Sequence, residues 1–465
     1  MTRGAAWALS LILITGLLSG CGLLHLSPPT PTPTAPAVAY PPPSLPGPAA
    51  TFTPTTRPTP TPLPSPTPTP LLAATPSTPL LATMEAIEEE MKGLRGLEES
   101  RPIPCGLMSR EQLAAYMERE LAENYPPEEV AADVRVLAAF DFVPPDFDLL
   151  GLLVDLYSTQ AIGLYDEEQN ILYVITEAAG QFDLLTRATF AHEYVHGLQD
   201  QQFGLDDFVD EDRFNDDEVM ARLSLVEGDA SLAMMQYLFA HLSEMTDQDL
   251  EALQAAGGEA SQEVLNAAPP IIRETFLFPY IYGLDFAMTL QKQGWPAVDA
   301  AYAAPPRSTE QILHPEKYLI GDEPQILTLP PLTETLGAGW RLVESETLGE
   351  FQINLYLAQQ VDQKTADQAS QGWDGDRYAL YARDDAEVLI LATLWDSPAD
   401  CQEFVAAYRQ YAGGKYGRPP TGDDRAGVWW ETAAQTAVLT WQEASALLIL
   451  GPDRATVEKV LAAVR

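Results

Sequence analysis

From Ser27 to about Pro79 the chain is dominated by proline, threonine, serine and alanine, as in the run TPTTRPTPTPLPSPTPTP. Such a segment buries too little apolar surface to offset chain entropy, and its prolines hold it extended. Any fold must therefore be built from the residues that follow, from about Met84 onward. The segment reads as a stalk; a proline-rich ligand for a partner module is the rival reading.

What precedes it, MTRGAAWALSLILITGLLSGC, has one basic residue, an apolar run from Ala5 to Leu18, then small residues. That is the layout of a secretory signal peptide, and the run is too short for a permanent transmembrane helix. Leu18-Ser19-Gly20-Cys21 resembles the bacterial lipoprotein processing box. The resemblance implies that Cys21 carries lipid and anchors the protein outside the cytoplasm, on the cell membrane or envelope. The plainer alternative is a cleaved signal with an incidental cysteine. Only Cys105 and Cys401 then remain to pair, and no two cysteines are close enough for a zinc finger. A formal charge of −41, from 67 acidic against 26 basic residues, excludes nucleic acid as a partner.

Apolar residues at Met84, Ile87, Met91 and Leu94 have helical spacing, and SREQ at Ser109 has the form of a capping box. DLLGLLVDLYSTQ (148–160) reads as a buried helix, and AIGLY and ILYVIT, joined by DEEQN, as a hairpin. Helices are expected from Asp183 or Thr186 to about Gly204, then at 216–242, 271–293 and 296–303. From about Gly337 the texture becomes mixed, with strands at 377–382, 387–395, 427–432, 435–441 and 445–450. Helices at 397–411 and 453–464 accompany them. The segments are a leader (1–21), a stalk (22–82), a mainly helical domain (83–335) and a smaller C-terminal α/β domain (336–465). The fold class is α+β.

The helix near 190 carries TFAHEYVHGLQDQQF. Residues four apart share one helix face, so His192 and His196 can present imidazole nitrogens to one metal ion. Glu193 sits about 100° around the helix, placed to take a proton rather than to ligate. A catalytic zinc needs a third protein ligand. Gln199 and Gln202 stand where a three-histidine arrangement would need glycine and histidine. His25, His241 and His314 are distant in sequence, so a carboxylate is the better candidate. Glu227, within the apolar ARLSLVEGDASLAMMQYL, needs a buried partner and is preferred. Asp229, about 200° away on the same helix, and the aspartates of the acidic loop 206–218 are its rivals. That loop lacks the spacing of an EF-hand and reads as solvated.

HExxH followed about thirty residues later by EGxA resembles the gluzincin type of zinc metallopeptidase. The resemblance covers about residues 160–320, and its specific core is four residues. It implies a zincin-like domain with His192, His196 and Glu227 as zinc ligands and Glu193 as general base. Position 231 is serine, which leaves open the group that orients His192. Zinc would activate water and polarise a scissile peptide carbonyl, with Glu193 taking the water proton and passing it to the leaving amine.

A donor for the oxyanion is also expected. His314, at the end of a short turn capped by Ser308 and Gln311 and cut off by Pro315, is the catalytic candidate; a histidine in a surface loop is its alternative. Tyr280 and Tyr282 read more simply as packing. The functional expectation is a lipid-anchored peptidase acting on peptides or proteins. The alternative is a non-catalytic envelope binding or scaffold lipoprotein with a structural or degenerate zinc site.

Overall fold

Helix α1 (Thr78–Arg95) starts with Pro79 in its first turn and stops at Gly96, whose φ of 77° is left-handed. The computed structural model describes residues 76–161, 163–175, 182–247, 249, 259–424 and 427–465, all within one compact unit. The leader, Cys21, His25 and the expected stalk up to residue 75 lie outside the described residues, while residues 78–82, also expected in the stalk, belong to α1. No helix among the described residues is long and apolar enough to cross a membrane.

After α1 come β1 (Cys105–Met108), α2 (Arg110–Asn124), α3 (Pro127–Ala139) and α4 (Leu149–Gln160). The capping box at Ser109 and Gln112 forms as expected. Strands β2 (Gly163–Asp166) and β3 (Ile171–Ile175) are the expected hairpin, turned at Asn170 with φ 51°. Strand β1 joins β3 in parallel, so the sheet order is β1-β3-β2 and β2 is an edge. Four residues directly after Pro104 gave no strand signal of their own; β1 exists because β3 offers it an edge.

Helix α5 (Leu184–Phe203) carries the HExxH motif, followed by α6 (Leu205–Phe208) and the long α7 (Asp216–Ala240). Both α5 and α7 are buried almost all round in their middle turns, which explains why neither reads as amphipathic. Helices α8 (Glu259–Ala267), α9 (Pro270–Gln291), α10 (Trp295–Ala303), α11 (Thr309–Leu313), α12 (Pro315–Ile320) and α13 (Thr333–Leu336) complete this region.

Glycine sets the spacing between α7 and α9. A Cβ on Gly228 would lie 2.0 Å from the Gly283 carbonyl oxygen, and one on Gly283 would lie 2.1 Å from that of Ser224. The backbones therefore touch, which only a pair of glycines permits. Gly228 stands beside Glu227 on α7, where a close approach to the motif helix α5 would be the simplest expectation. Instead its partner is α9, while Ala230 packs in the α5 core.

The C-terminal region contains β4 (Arg341–Glu344), α14 (Gly349–Ala358), α15 (Gln363–Ser370), β5 (Trp373–Arg383), β6 (Ala386–Trp395) and α16 (Pro398–Tyr416). It ends with β7 (Gly422–Asp424), β8 (Gly427–Glu431), β9 (Thr436–Gln442), β10 (Ser445–Gly451) and α17 (Arg454–Val464). Its seven strands, ordered β4-β5-β6-β10-β9-β8-β7, pair antiparallel throughout. Tight turns at Asp384 and Glu443, both with positive φ, allow only antiparallel neighbours. The expected α/β unit is thus an antiparallel α+β layer, and α+β holds for the molecule. Leu389 and Leu391 face α14–α16, whereas Val388 and Ile390 face α17. Val136 and Phe140 of α3 join the first of these cores, tying the helical region to the sheet. Cys105 and Cys401 are both free thiols.

Candidate metal centre

Three side chains from two helices converge inside the helical region. His192 and His196 lie one turn apart on α5, and Glu227 faces them from α7. Glu227 Oε2 is 3.2 Å from Nε2 of His192 and 3.3 Å from Nε2 of His196, and the two nitrogens are 2.8 Å apart. The histidines and Glu193 are 0 % exposed and Glu227 1 %, so solvent does not reach any of them. These residues are the His-His-carboxylate group read from the sequence, and they can hold a metal ion.

The donor set fits such an ion. Bonds of about 2.1 Å at tetrahedral angles set donor atoms about 3.4 Å apart, close to the spacings to Glu227, while the two imidazole nitrogens, 2.8 Å apart, must part slightly to admit an ion. The second oxygen of Glu227 and Nδ1 of His192 are buried without a hydrogen-bond partner. A protein rarely leaves such atoms unpaired in its interior, so the cluster is chemically incomplete by itself. As it stands it is held by charge. Burial would lower the basicity of His196, but the Glu227 carboxylate carries it up to about 9. Burial and then the neighbouring His196 push His192 down to about 4. Burial would raise Glu227, yet His196 and hydrogen bonds from both imidazoles bring it below the usual carboxylate range.

The tautomer of His196 follows from its neighbours. Gln199, one turn further along α5, donates from Nε2 to the Val226 carbonyl at 3.0 Å and to Asp229 Oδ2 at 3.0 Å. Its Oε1 is therefore the atom 2.8 Å from His196 Nδ1, which must carry the proton. A neutral His196 then presents its Nε2 lone pair to the cluster. Asp229 is not a ligand, because its carboxylate already accepts from Arg95 Nε and Nη2, Gln199 and the Tyr302 hydroxyl. Four donors fill what a carboxylate can accept. Nothing among the described residues orients His192 Nδ1, and the Ser231 hydroxyl is likewise unpaired.

Glu193 lies beside the ligands, and burial pushes its carboxyl well above the usual range. Neither of its oxygens has a well-formed hydrogen bond, although the Tyr165 backbone acts weakly on it. It fits only because β2 has a glycine opposite: a Cβ on Gly163 would lie 2.6 Å from Glu193 Cγ.

Of the three residues weighed as oxyanion donors, the structure brings to the group Tyr280, which had read as packing. Its buried phenol hydrogen-bonds Glu227 and feels Glu193, and burial with these two charges holds its pKa well above the ordinary value. It gets there because the Gly228–Gly283 crossing lays α9 against Glu227. His314 is not brought to the cluster. Its Nε2 pairs with Glu350 at 3.0 Å and its Nδ1 lies 3.9 Å from Glu316, beside a separate cleft of about 640 Å³ that Tyr282 also lines. His241 pairs with Glu90 and Glu244 at the far end of α7.

Sequence reasoning missed Arg95, Tyr302 and the supporting role of Gln199. For Gln199 a signal existed, since it stands three residues after His196 on the same helix face.

Residues 338–461 match the family model of a domain of unknown function, DUF8575. The match spans the seven-stranded sheet and contains none of the residues of the metal centre. No curated protein and no solved structure matches the chain.

Proposed function

We propose that the chain is a zinc-dependent peptidase of the gluzincin type, displayed outside the cytoplasm on a lipid-anchored stalk. The observation that carries this reading is the convergence of two histidines and a glutamate, with a buried, unpaired Glu193 alongside. A structural site is closed by four protein ligands, whereas three ligands leave a position open beside which Glu193 has a use. The three-stranded sheet, with edge strand β2 against Glu193 and the motif helix behind it, is consistent with a zincin lobe.

His192 Nε2, His196 Nε2 and Glu227 Oε2 would hold the ion. Zinc bound there would supply Lewis-acid activation of water and of the scissile carbonyl. Glu193 accepts the water proton and delivers it to the leaving amine. The Tyr280 phenol, which hydrogen-bonds Glu227 in the resting site, would turn its proton to the developing oxyanion. Gln199 keeps the proton of His196 on Nδ1.

One observation favours the second reading, a non-catalytic protein with a structural site: the ligands and Glu193 are sealed from solvent. Two measurements on the purified protein separate the readings. Zinc is expected at about one equivalent and is lost in Glu227→Ala. Undiminished zinc in that variant removes the third ligand. Glu193→Gln should keep the metal and lose about 10²–10⁴-fold in peptide hydrolysis. A variant that cleaves as well as the parent, or a parent that binds zinc and cleaves nothing, favours the structural site.

A further inference from the structure

Helix α1 directly follows the Pro/Thr-rich segment, and three of its residues, Met84, Ile87 and Met91, pack into the α5 core. Its last residue is Arg95, 0 % exposed, and Gly96 turns the chain away at once. Arg95 donates from Nε and Nη2 to Asp229 at 2.5 and 2.9 Å, and from Nη2 to Asp299 at 2.7 Å. Its guanidinium lies 4.5 Å over the Trp295 ring, which fixes its plane. An ion pair so deep does not repay its desolvation by charge alone, so its geometry invites a functional account.

That account runs through two side chains. Arg95 holds the Asp229 carboxylate in place through two hydrogen bonds. As an acceptor-only group it draws the Gln199 amide nitrogen toward itself, with the Val226 carbonyl pulling the same way. Gln199 Oε1 is then left facing His196 Nδ1. If the amide turned over, its nitrogen would face Nδ1 and the imidazole proton would move to Nε2, the atom that faces the cluster. No lone pair would then point at a metal.

We propose that Arg95 is a positioning residue for the metal centre, acting through Asp229 and Gln199 on the tautomer of His196. Metal is held tightly only while the helix next to the Pro/Thr-rich segment is docked. The inference rests on the metal-binding reading of the cluster and assigns a role to a region outside the HExxH…E pattern.

The test uses Co²⁺ as the probe, with the full chain and a competing chelator, and reads both affinity and the visible absorption of the bound ion. Gln199→Met should weaken Co²⁺ by about 10–100-fold, as loss of a hydrogen-bonded partner of a ligand does. Arg95→Met should weaken it by about 10-fold, Arg95→Lys by less, and the Arg95→Met/Gln199→Met double variant no more than Gln199→Met alone. Where Arg95→Met fails to fold, Arg95→Met/Asp229→Asn removes both buried charges and should bind as weakly as Gln199→Met. In the metal-free protein at a pH above about 9, where His196 has shed its second proton, its ring-nitrogen shifts should move toward the Nε2–H tautomer in these variants.

Folded variants with parental affinity and an unchanged His196 tautomer overturn the proposal, as do strictly additive effects of Arg95→Met and Gln199→Met. If the parent takes up no Co²⁺, or His192→Gln takes up as much, the metal-binding reading falls instead. The tautomer measurement then still decides the relay.

Discussion

The layer formed by α5 and α7 and the seven-stranded sheet both bury polar side chains, but they treat them differently. In the sheet region Asp376 accepts from the backbone of Leu348 and Gly349 and from the Trp373 indole, at 2.9–3.0 Å. One oxygen of Glu350 is tied to His314. The buried atoms left over there, on the Trp429 and Trp430 indoles, the Tyr356 and Tyr408 hydroxyls and one oxygen each of Glu346 and Glu350, form no group that could hold an ion among the described residues. In the α5–α7 layer unpaired ionisable atoms on His192, Glu193 and Glu227 converge. A closed buried carboxylate fastens one element to another. An open one, aimed with others at a common point, is kept for something the chain does not itself contain.

That contrast is broken most easily at Tyr280. Tyr280→Phe should cost about 10²–10³-fold in turnover and leave zinc content unchanged, by peptide assay and metal analysis. Full activity would return the phenol to mere packing. Next is the crossing that delivers it. Gly283→Ala forces a methyl group against the Ser224 carbonyl and should lower stability by about 1–3 kcal/mol in a thermal or denaturant melt.

His314 offers a test from the closed side. Burial would lower its basicity, but the Glu350 carboxylate holds it above the ordinary value. The pair therefore stabilises the fold below about pH 6.5 and loses that contribution as pH rises through the raised pKa. His314→Ala should cost about 1–3 kcal/mol at pH 6, through the buried Glu350 left behind, and leave metal affinity untouched. Loss of metal would mean that the two regions are not separate.

The smallest effect is expected at Asp217, at the start of α7, which accepts from Thr309. Burial raises its carboxyl to about 8, against the opposing hydrogen bonds. The folded state thus keeps a proton that the unfolded chain releases near 4, so stability is full below that pH and declines up to about pH 8. Asp217→Asn should flatten this slope in melts at pH 5 and 8.5.

The legible parts of the molecule were those whose signal is local. The helices at 184–203, 216–240 and 270–291 announce themselves by length and by caps such as Asp183 and Asn215. The sheet strands β5, β6 and β8–β10 do so by apolar runs between turns. Within the centre, His192, His196 and Glu193 were fixed by spacing on one helix, and Glu227 by an acid on an apolar helix. Arg95 and Tyr280 were not legible. Arg95 stands 134 residues before its partner Asp229, in a helix rich in charge, where an arginine reads as surface. Tyr280 is one of several tyrosines, set apart only by the backbone contact three residues later. Strand β1 and the pairing of α3 with the sheet likewise depend on partners far along the chain.

The complete enclosure of His192, His196 and Glu227 has a consequence in time. A chelator meets no donor atom at the surface, so removing an ion from this site must wait for α5, α7 and α9 to part. The release half-life would then be set by the breathing of the fold and not by coordination chemistry, and would hold steady as chelator concentration is raised. Exchange would report how often the interior opens, and any substrate must enter during the same openings.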